Sequence, residues 1–512
     1  MIRRQLIAVG LSILTLVAAP SAQVAAPQAP AAIPADLALT RTLPIDPAVK
    51  TGRLPNGLRY FIRQNARPAN RVSMRLAVNA GAVQEDPDQR GLAHFLEHMA
   101  FNGTEHFKPG ELVSFLESIG ARFGPHVNAS TSFDETIYML DIPTDRPGYV
   151  DRGMTVLQDF AAGISFLPDE VEKERGVVLE EWRGRLGAGS RLTDKQLPVI
   201  FQGSRYAERL PIGLPEILKN APRERLMAFY KKWYRPDQMA VVVVGDIPVA
   251  EAEQMVQSHF GGIPTATGAP STVDTSVPAH KDTLINMSTD PEAQGWTVSV
   301  AFKGKAEHDE TVGGYRKTLV EGLVSQMLNL RLSEISRRPN APFLTAQAGT
   351  SGIGRSLELF EIEAQVPEGK ITEGLGALMM EAKRMQQYGF SNEELNRAKA
   401  GLLAGYERAY KERETSESAN YANEYVRHFL EQEPIPGMEF EYRIASTYLP
   451  GVAAEEVSAV ARAFITDENR VVLGVAPEKK DVPAPAPDTL RAAIARASNA
   501  PVERWAEATS AR

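Results

Sequence analysis

The stretch Gly91-Leu92-Ala93-His94-Phe95-Leu96-Glu97-His98-Met99-Ala100-Phe101 decides how this chain reads. On a helix, His94 and His98 stand four apart and share one face. Two imidazoles at that separation can hold one metal ion, and Glu97 beside them is a carboxylate placed to handle a water proton. Leu92, Phe95, Leu96, Met99 and Phe101 would bury the helix and give the site a rigid, low-dielectric wall. These are the minimal parts of metal-assisted hydrolysis. The pair of histidines alone is a weak signal, because a chain with eight histidines places two of them four apart by chance often enough.

A third ligand is needed, since a catalytic zinc takes three protein ligands and keeps one position open. Downstream, Val171-Glu172-Lys173-Glu174-Arg175-Gly176-Val177-Val178-Leu179-Glu180-Glu181-Trp182 reads as an acidic helix. Glu174 and Glu181 are two turns apart and lie on one face. Either could complete the set with His94 and His98. Glu172 and Glu180 read as a solvated charged face.

The rest of the chain sets the frame. At 512 residues it is long enough for about two to four domains and a large core. Its 43% hydrophobic and 23% charged content is that of a soluble globular protein. A net charge of −8 leaves no basic footprint, so no nucleic-acid partner is expected. The start Met-Ile-Arg-Arg-Gln, an apolar run over residues 6–19 and small residues after it read as a signal peptide over 1–26. An uncleaved anchor is the alternative, but the run is too short to span a bilayer comfortably, so no stable membrane insertion is expected after cleavage. With no cysteine there is no disulfide framework and no lipid-attachment site. The chain reads as exported, and periplasmic if the source is a Gram-negative bacterium.

Residues 27–47, rich in Ala and Pro, read as a flexible lead-in. Asn56-Gly57 predicts a hairpin turn between two short strands. Residues 72–78 read as a strand, 110–119 as a helix, 127–142 as extended structure, and 151–164 and 168–185 as helices. Gly, Pro and Thr dominate 261–271, which reads as a boundary. A helix, a turn, a buried strand and a glycine occur near Gly245 and again near Gly474. The repeat predicts two related α+β domains, 48–262 and 272–480. The Pro-Ala alternation after residue 480 reads as a linker-like tail over 481–512, with a short helical piece from Thr489.

The order His-x-x-Glu-His with its surroundings, through Phe101-Asn102-Gly103-Thr104, together with Glu174-Arg175-Gly176-Val177-Val178-Leu179-Glu180-Glu181, resembles the M16 family (pitrilysin, insulysin, mitochondrial processing peptidase), nearest its bacterial PqqL-like branch. The resemblance covers residues 45 to 480. It implies one half of a clamshell: two related domains, each a mixed, mainly antiparallel sheet with helices packed on it. It makes His94 and His98 ligands of one Zn2+ per chain, Glu97 the general base and Glu181 the third ligand, with Glu180 as the alternative. Glu174 becomes a supporting carboxylate that orients a ligating histidine. The stretch from Phe123 to Ser132 would be an edge strand that pairs with extended peptide, through Asn128 and Ala129. His126 takes no role there beyond surface or support.

The same resemblance exposes a gap. Many active relatives carry an Arg and a Tyr seven apart in a later domain, and here Ser336 and Phe343 fall where that pair would be expected. Carbonyl activation normally needs donors besides the metal, so a second half is expected: a partner subunit, a second copy of the chain, or further sequence. The leading expectation is an exported zinc endopeptidase for peptides or small unfolded proteins. The alternative is a non-catalytic subunit that binds peptide or a partner. A zinc hydrolase of non-peptide amides is a third reading with little support.

Overall fold

The computed structural model describes residues 33–185 and 187–506. The expected signal peptide, residues 1–26, lies outside them.

The fold rests on two sheets of one design. The first contains β1 (Lys50–Arg53), β2 (Arg59–Gln64), β3 (Arg71–Val78), β4 (Val127–Thr131), β5 (Thr136–Pro143) and β6 (Met239–Gly245) in the order β1-β2-β6-β3-β5-β4. Asn56-Gly57 does close the β1–β2 hairpin, with Gly57 at φ 100°. β6, Met-Ala-Val-Val-Val-Val-Gly, is buried at every residue, as a β-branched run covered on both faces should be. It runs parallel to β2 and antiparallel to β3. Gly245 is required at its end, because a Cβ there would sit 2.4 Å from Val72 Cα.

The second sheet contains β7 (Leu284–Asp290), β8 (Trp296–Lys305), β9 (Thr345–Ile353), β10 (Leu357–Val366) and β11 (Arg470–Pro477) in the order β7-β11-β8-β10-β9. β11 is parallel to β7 and antiparallel to β8. With β1 set aside, the two sheets match strand for strand, including the one parallel pair. The α+β expectation and the repeat read from Gly245 and Gly474 therefore hold.

The two units exchange a helix. The Ala188–Ile200 helix, which follows the acidic helix of the first unit, lies on β7 and β11 of the second sheet. The Ser418–Glu431 helix lies on β3 and β6 of the first, where Ala422, Tyr425, Val426 and Leu430 meet Phe61, Ala77, Val242 and Val244. A seam of Val83, Phe133, Phe201 and Tyr206 against Ala301, Leu357, Leu359 and Val471 joins the units. Arg355 clips it: its main-chain N–H donates to Asp134 Oδ2 at 3.0 Å and its guanidinium to Glu135 Oε2 at 3.2 Å.

Two expectations are corrected. The lead-in is not loose from residue 33 onward: Leu37 and Leu43 are buried in the second core, and Leu43 N–H donates to Glu310 O at 2.7 Å. Nor is the tail a linker up to residue 506. Its Pro487–Asn499 helix packs Leu490, Ala493, Ile494 and Ala497 into the second core, against the Ile371–Tyr388 helix. Lys383 Nζ then holds the carbonyls of Ser498 and Ala500 at 2.6 Å, and Trp505 lies against the guanidinium groups of Arg331, Arg338 and Arg384. Composition signalled flexibility in both segments, but a few spaced apolar residues within them are enough to dock each one.

Candidate active site

The histidines lie on the Leu92–Met99 helix, whose apolar residues Leu92, Phe95, Leu96 and Met99 are buried in the first core. Its start is fixed twice. Gly91, at φ 101°, meets Gly213, where a Cβ would sit 2.2 Å from Gly91 Cα; only two glycines allow that crossing. The buried Glu85 carboxylate accepts Gly91 N–H at 2.9 Å and Ala93 N–H at 2.8 Å. Burial pushes Glu85 up to about 8, against the pull of those two N–H groups and of Arg209 and Arg205.

The acidic helix, Pro168–Gly184, crosses the first one. Val171, Glu174 and Val178 form its buried stripe, which Glu181 continues outward. Arg175 sets its height, donating to the carbonyls of Leu218 and Ala221 and lying over the Phe95 ring.

Together the two helices bring His94, His98 and Glu181 to one point, with a ligand atom from each within 4.8 Å of the others. His94 Nε2 is 3.6 Å from Glu181 Oε1, and His98 Nε2 is 3.1 Å from Glu181 Oε2. The imidazoles stand nearly perpendicular, 85° apart, with centroids at 4.8 Å. Glu174 Oε1 accepts from His98 Nδ1 at 2.8 Å. The Glu181 side chain is 46% exposed, so the point opens to solvent on that side. Glu180 faces away and pairs with Arg183, and Glu172 pairs with Arg175; both are exposed.

The donor set fits zinc. Tetrahedral ligands at roughly 2.0–2.2 Å from an ion lie about 3.3–3.5 Å from one another, and the two nitrogen–oxygen separations bracket that value. The electrostatics differ between the imidazoles. Burial, then the neighbouring His98, brings His94 down to about 4. Burial also acts to lower His98, but hydrogen bonds to Glu174 and Glu181 outweigh it and hold that ring at about 9. The hydrogen bond to His98 keeps the Glu181 carboxyl below its usual range.

Glu97, 8% exposed, accepts from Thr131 Oγ1 at 2.6 Å through Oε2. Burial raises its carboxyl and Thr131 opposes that. Thr131 ends β4, which is the edge strand of the first sheet and touches the histidine helix. Ser132 N–H donates to Glu135 O and Asp141 N–H to His126 O. Even-numbered residues of β4 therefore pair inward with β5, and Val127, Ala129 and Thr131 direct their main-chain groups to the free edge. At Val127 the turn before the strand already takes both groups, through Arg122 O and Gly124 N. Asn128 Oδ1 accepts the Ala129 N–H at 3.0 Å. The Asn128 main chain pairs inward with β5, and that of Ala129 faces the free edge. His126 accepts from Arg122 N–H in that turn and stays outside the ligand set.

Ser336 Oγ donates to Ser333 O at the end of its own helix, and Phe343 is buried in the second core. A second grouping, Glu105, His106 and Asp159, also brings three ligand atoms within 4.8 Å of one another. Its buried Asp159 is already filled by Thr104 Oγ1 at 2.6 Å, His106 Nδ1 at 2.7 Å and His106 N–H at 3.0 Å, and so serves as a loop clamp. Sequence reading missed Glu85 and gave Thr131 no part; neither carries a local signal.

Comparison with known proteins shows the family. The family described as Insulinase (Peptidase family M16) matches residues 60–186, and the Peptidase M16 inactive domain matches residues 220–402. A "Zinc protease PQQL-like" of Arabidopsis thaliana is 35% identical over 83% of this chain and 42% of its own length. The "Probable zinc protease PqqL" of Escherichia coli is 31% identical over 71% of this chain and 39% of its own. The chain therefore spans about two fifths of the length of these curated relatives. The crystal structure of the first half of the periplasmic protease PqqL from Escherichia coli, 25% identical, superposes with a TM-score of 0.85 over 91% of this chain and 100% of that one. The two matched domains, the inverted zinc motif and the paired sheets place this chain in the M16 peptidase family.

Proposed function

We propose that this chain is the metal-bearing half of a zinc endopeptidase acting on peptides or small unfolded proteins. The observation that carries the reading is the convergence of His94, His98 and Glu181 beside a buried Glu97, at the end of an open sheet edge. His94 Nε2, His98 Nε2 and Glu181 would hold one Zn2+, and Glu174 would fix the His98 ring and tautomer through Nδ1. A zinc ion held there supplies the Lewis acidity that acidifies a water and polarises a peptide carbonyl. Glu97, with Oε2 held by Thr131, keeps Oε1 for proton transfer: it takes the proton from the attacking water and returns it to the leaving amine. Extended substrate would pair with the β4 edge at Ala129, with Asn128 beside it.

The donors that grip the carbonyl would come from a second half, because Ser336 and Phe343 cannot supply them. The greater length of the relatives supports such a half, whether it follows in a longer chain or is a partner subunit or a second copy. An enclosed chamber of two halves would favour short or unfolded substrates. The N-terminal reading and the periplasmic relative support export, to the periplasm in a Gram-negative source. Among the described residues no helix is long and apolar enough to cross a membrane.

The absent donor pair favours one other reading, a non-catalytic subunit that binds peptide or a partner. A quenched-fluorescence peptide separates the two. The proposal requires hydrolysis by the zinc-loaded protein together with its second half, lost with a chelator and restored by Zn2+. Binding without turnover under those conditions supports the alternative.

A further inference from the structure

We propose that Thr131 is a positioning residue for Glu97, and that it makes the substrate-pairing strand and the proton-transfer group one mechanical unit; the inference rests on the reading of Glu97 as the base. Three observations meet at this residue. Its Oγ1 donates to Glu97 Oε2 at 2.6 Å. It ends β4, so its main-chain groups face the free edge two residues from Ala129. Its side chain lies on the same face of the strand as Val127 and Ala129, which pack against the first core below the histidine helix.

A glutamate has three side-chain torsions, and a buried one that swings by an ångström no longer reaches the water it must deprotonate. The Thr131 hydroxyl fixes one oxygen of Glu97, Oε2, and makes no bond to the other. The strand that supplies it is the strand a peptide would lengthen. Substrate and base are then set against the same backbone, which couples the position of the scissile carbonyl to that of the Glu97 carboxylate. Nothing in the histidine motif encodes this, since the contact bridges residues 97 and 131.

Thr131→Val removes the hydroxyl and keeps the β-branched shape and the main-chain N–H. In the zinc-loaded protein, assayed under conditions that give peptide hydrolysis, kcat should fall roughly ten- to a hundredfold, while KM and bound zinc stay at wild-type values. Thr131→Ser should restore kcat to within about threefold, because it returns the donor. An unchanged kcat in Thr131→Val overturns the proposal, as does a loss that Thr131→Ser shares or one that follows loss of zinc. If Thr131→Val does not fold, Thr131→Ala carries the same comparison. Glu97→Gln, run in parallel, separates the two levels: an active Glu97→Gln removes the base reading itself, whereas an inactive Glu97→Gln beside a fully active Thr131→Val removes only the role of Thr131.

Discussion

Glu174 Oε1 approaches His98 Nδ1 to 2.8 Å, on the far side of the ring from Glu181 Oε2, which lies 3.1 Å from Nε2. One imidazole is thus gripped by two carboxylates of a single helix, seven residues apart. In the proposed metal-bound state Glu174 would fix the tautomer that leaves Nε2 free for the ion. Glu174→Ala should weaken zinc binding about ten- to a hundredfold without unfolding the protein. Competition with a chromogenic chelator reads the affinity, and near-UV circular dichroism reads the fold.

The same pair of contacts gives the metal-free protein a titrating proton. The hydrogen bonds to Glu174 and Glu181 outweigh burial and push His98 up to about 9 in the fold, from the ordinary imidazole value of 6.5. The protonated ring therefore stabilises the metal-free fold fully below about pH 6.5, on the order of 3 kcal/mol, and that contribution is lost as pH rises through about 9. Zinc needs Nε2 neutral. Zinc binding at pH 7 should release close to one proton, seen as a dependence of the calorimetric enthalpy on buffer, and apparent affinity should rise with pH up to about 9. An enthalpy independent of buffer would contradict this.

The neighbouring glutamates divide cleanly. Glu181 points at both imidazoles, whereas Glu180 points to solvent and pairs with Arg183. Glu181→Ala should cost more than the ~100-fold upper end for a supporting residue. Glu180→Ala should leave zinc content unchanged and stability within about 1 kcal/mol, as for exposed ion pairs. Metal analysis after dialysis of the two variants checks both.

Much of this was legible in the sequence because the information was local. Spacing of four put His94 and His98 on one face, spacing of seven did the same for Glu174 and Glu181, and the glycines at 245 and 474 marked equivalent strands. The choice of Glu181 over Glu180 came from the family resemblance; in the structure Glu181 lies beside both imidazoles and Glu180 pairs with Arg183. What stayed hidden depends on contacts far apart in the chain. Glu85 reaches the start of the histidine helix through main-chain N–H groups, and main-chain partners leave no side-chain signature. Thr131 meets Glu97 only once β4 lies beside the helix. The lead-in and tail read as loose because Pro and Ala dominate them, yet Leu37, Leu43, Leu490 and Ile494 are buried in the second core.

The Gly91–Gly213 crossing offers a test of how the histidine helix is seated. Gly213, at φ 73°, would carry a Cβ 2.2 Å from Gly91 Cα and 2.6 Å from Arg90 O. Gly213→Ala should destabilise the protein by about 1–3 kcal/mol through overpacking and left-handed strain. It should also weaken zinc binding, because the backbone that must yield leads directly into His94. Thermal melts with and without zinc would show both effects.

The most direct test is anomalous diffraction at the zinc edge from zinc-loaded crystals of the Glu97→Gln variant. The account predicts one peak about 2.0–2.2 Å from His94 Nε2, His98 Nε2 and a Glu181 oxygen, with Glu174 still on His98 Nδ1 and the variant inactive. A peak elsewhere, or a zinc that Glu181 does not reach, would contradict it.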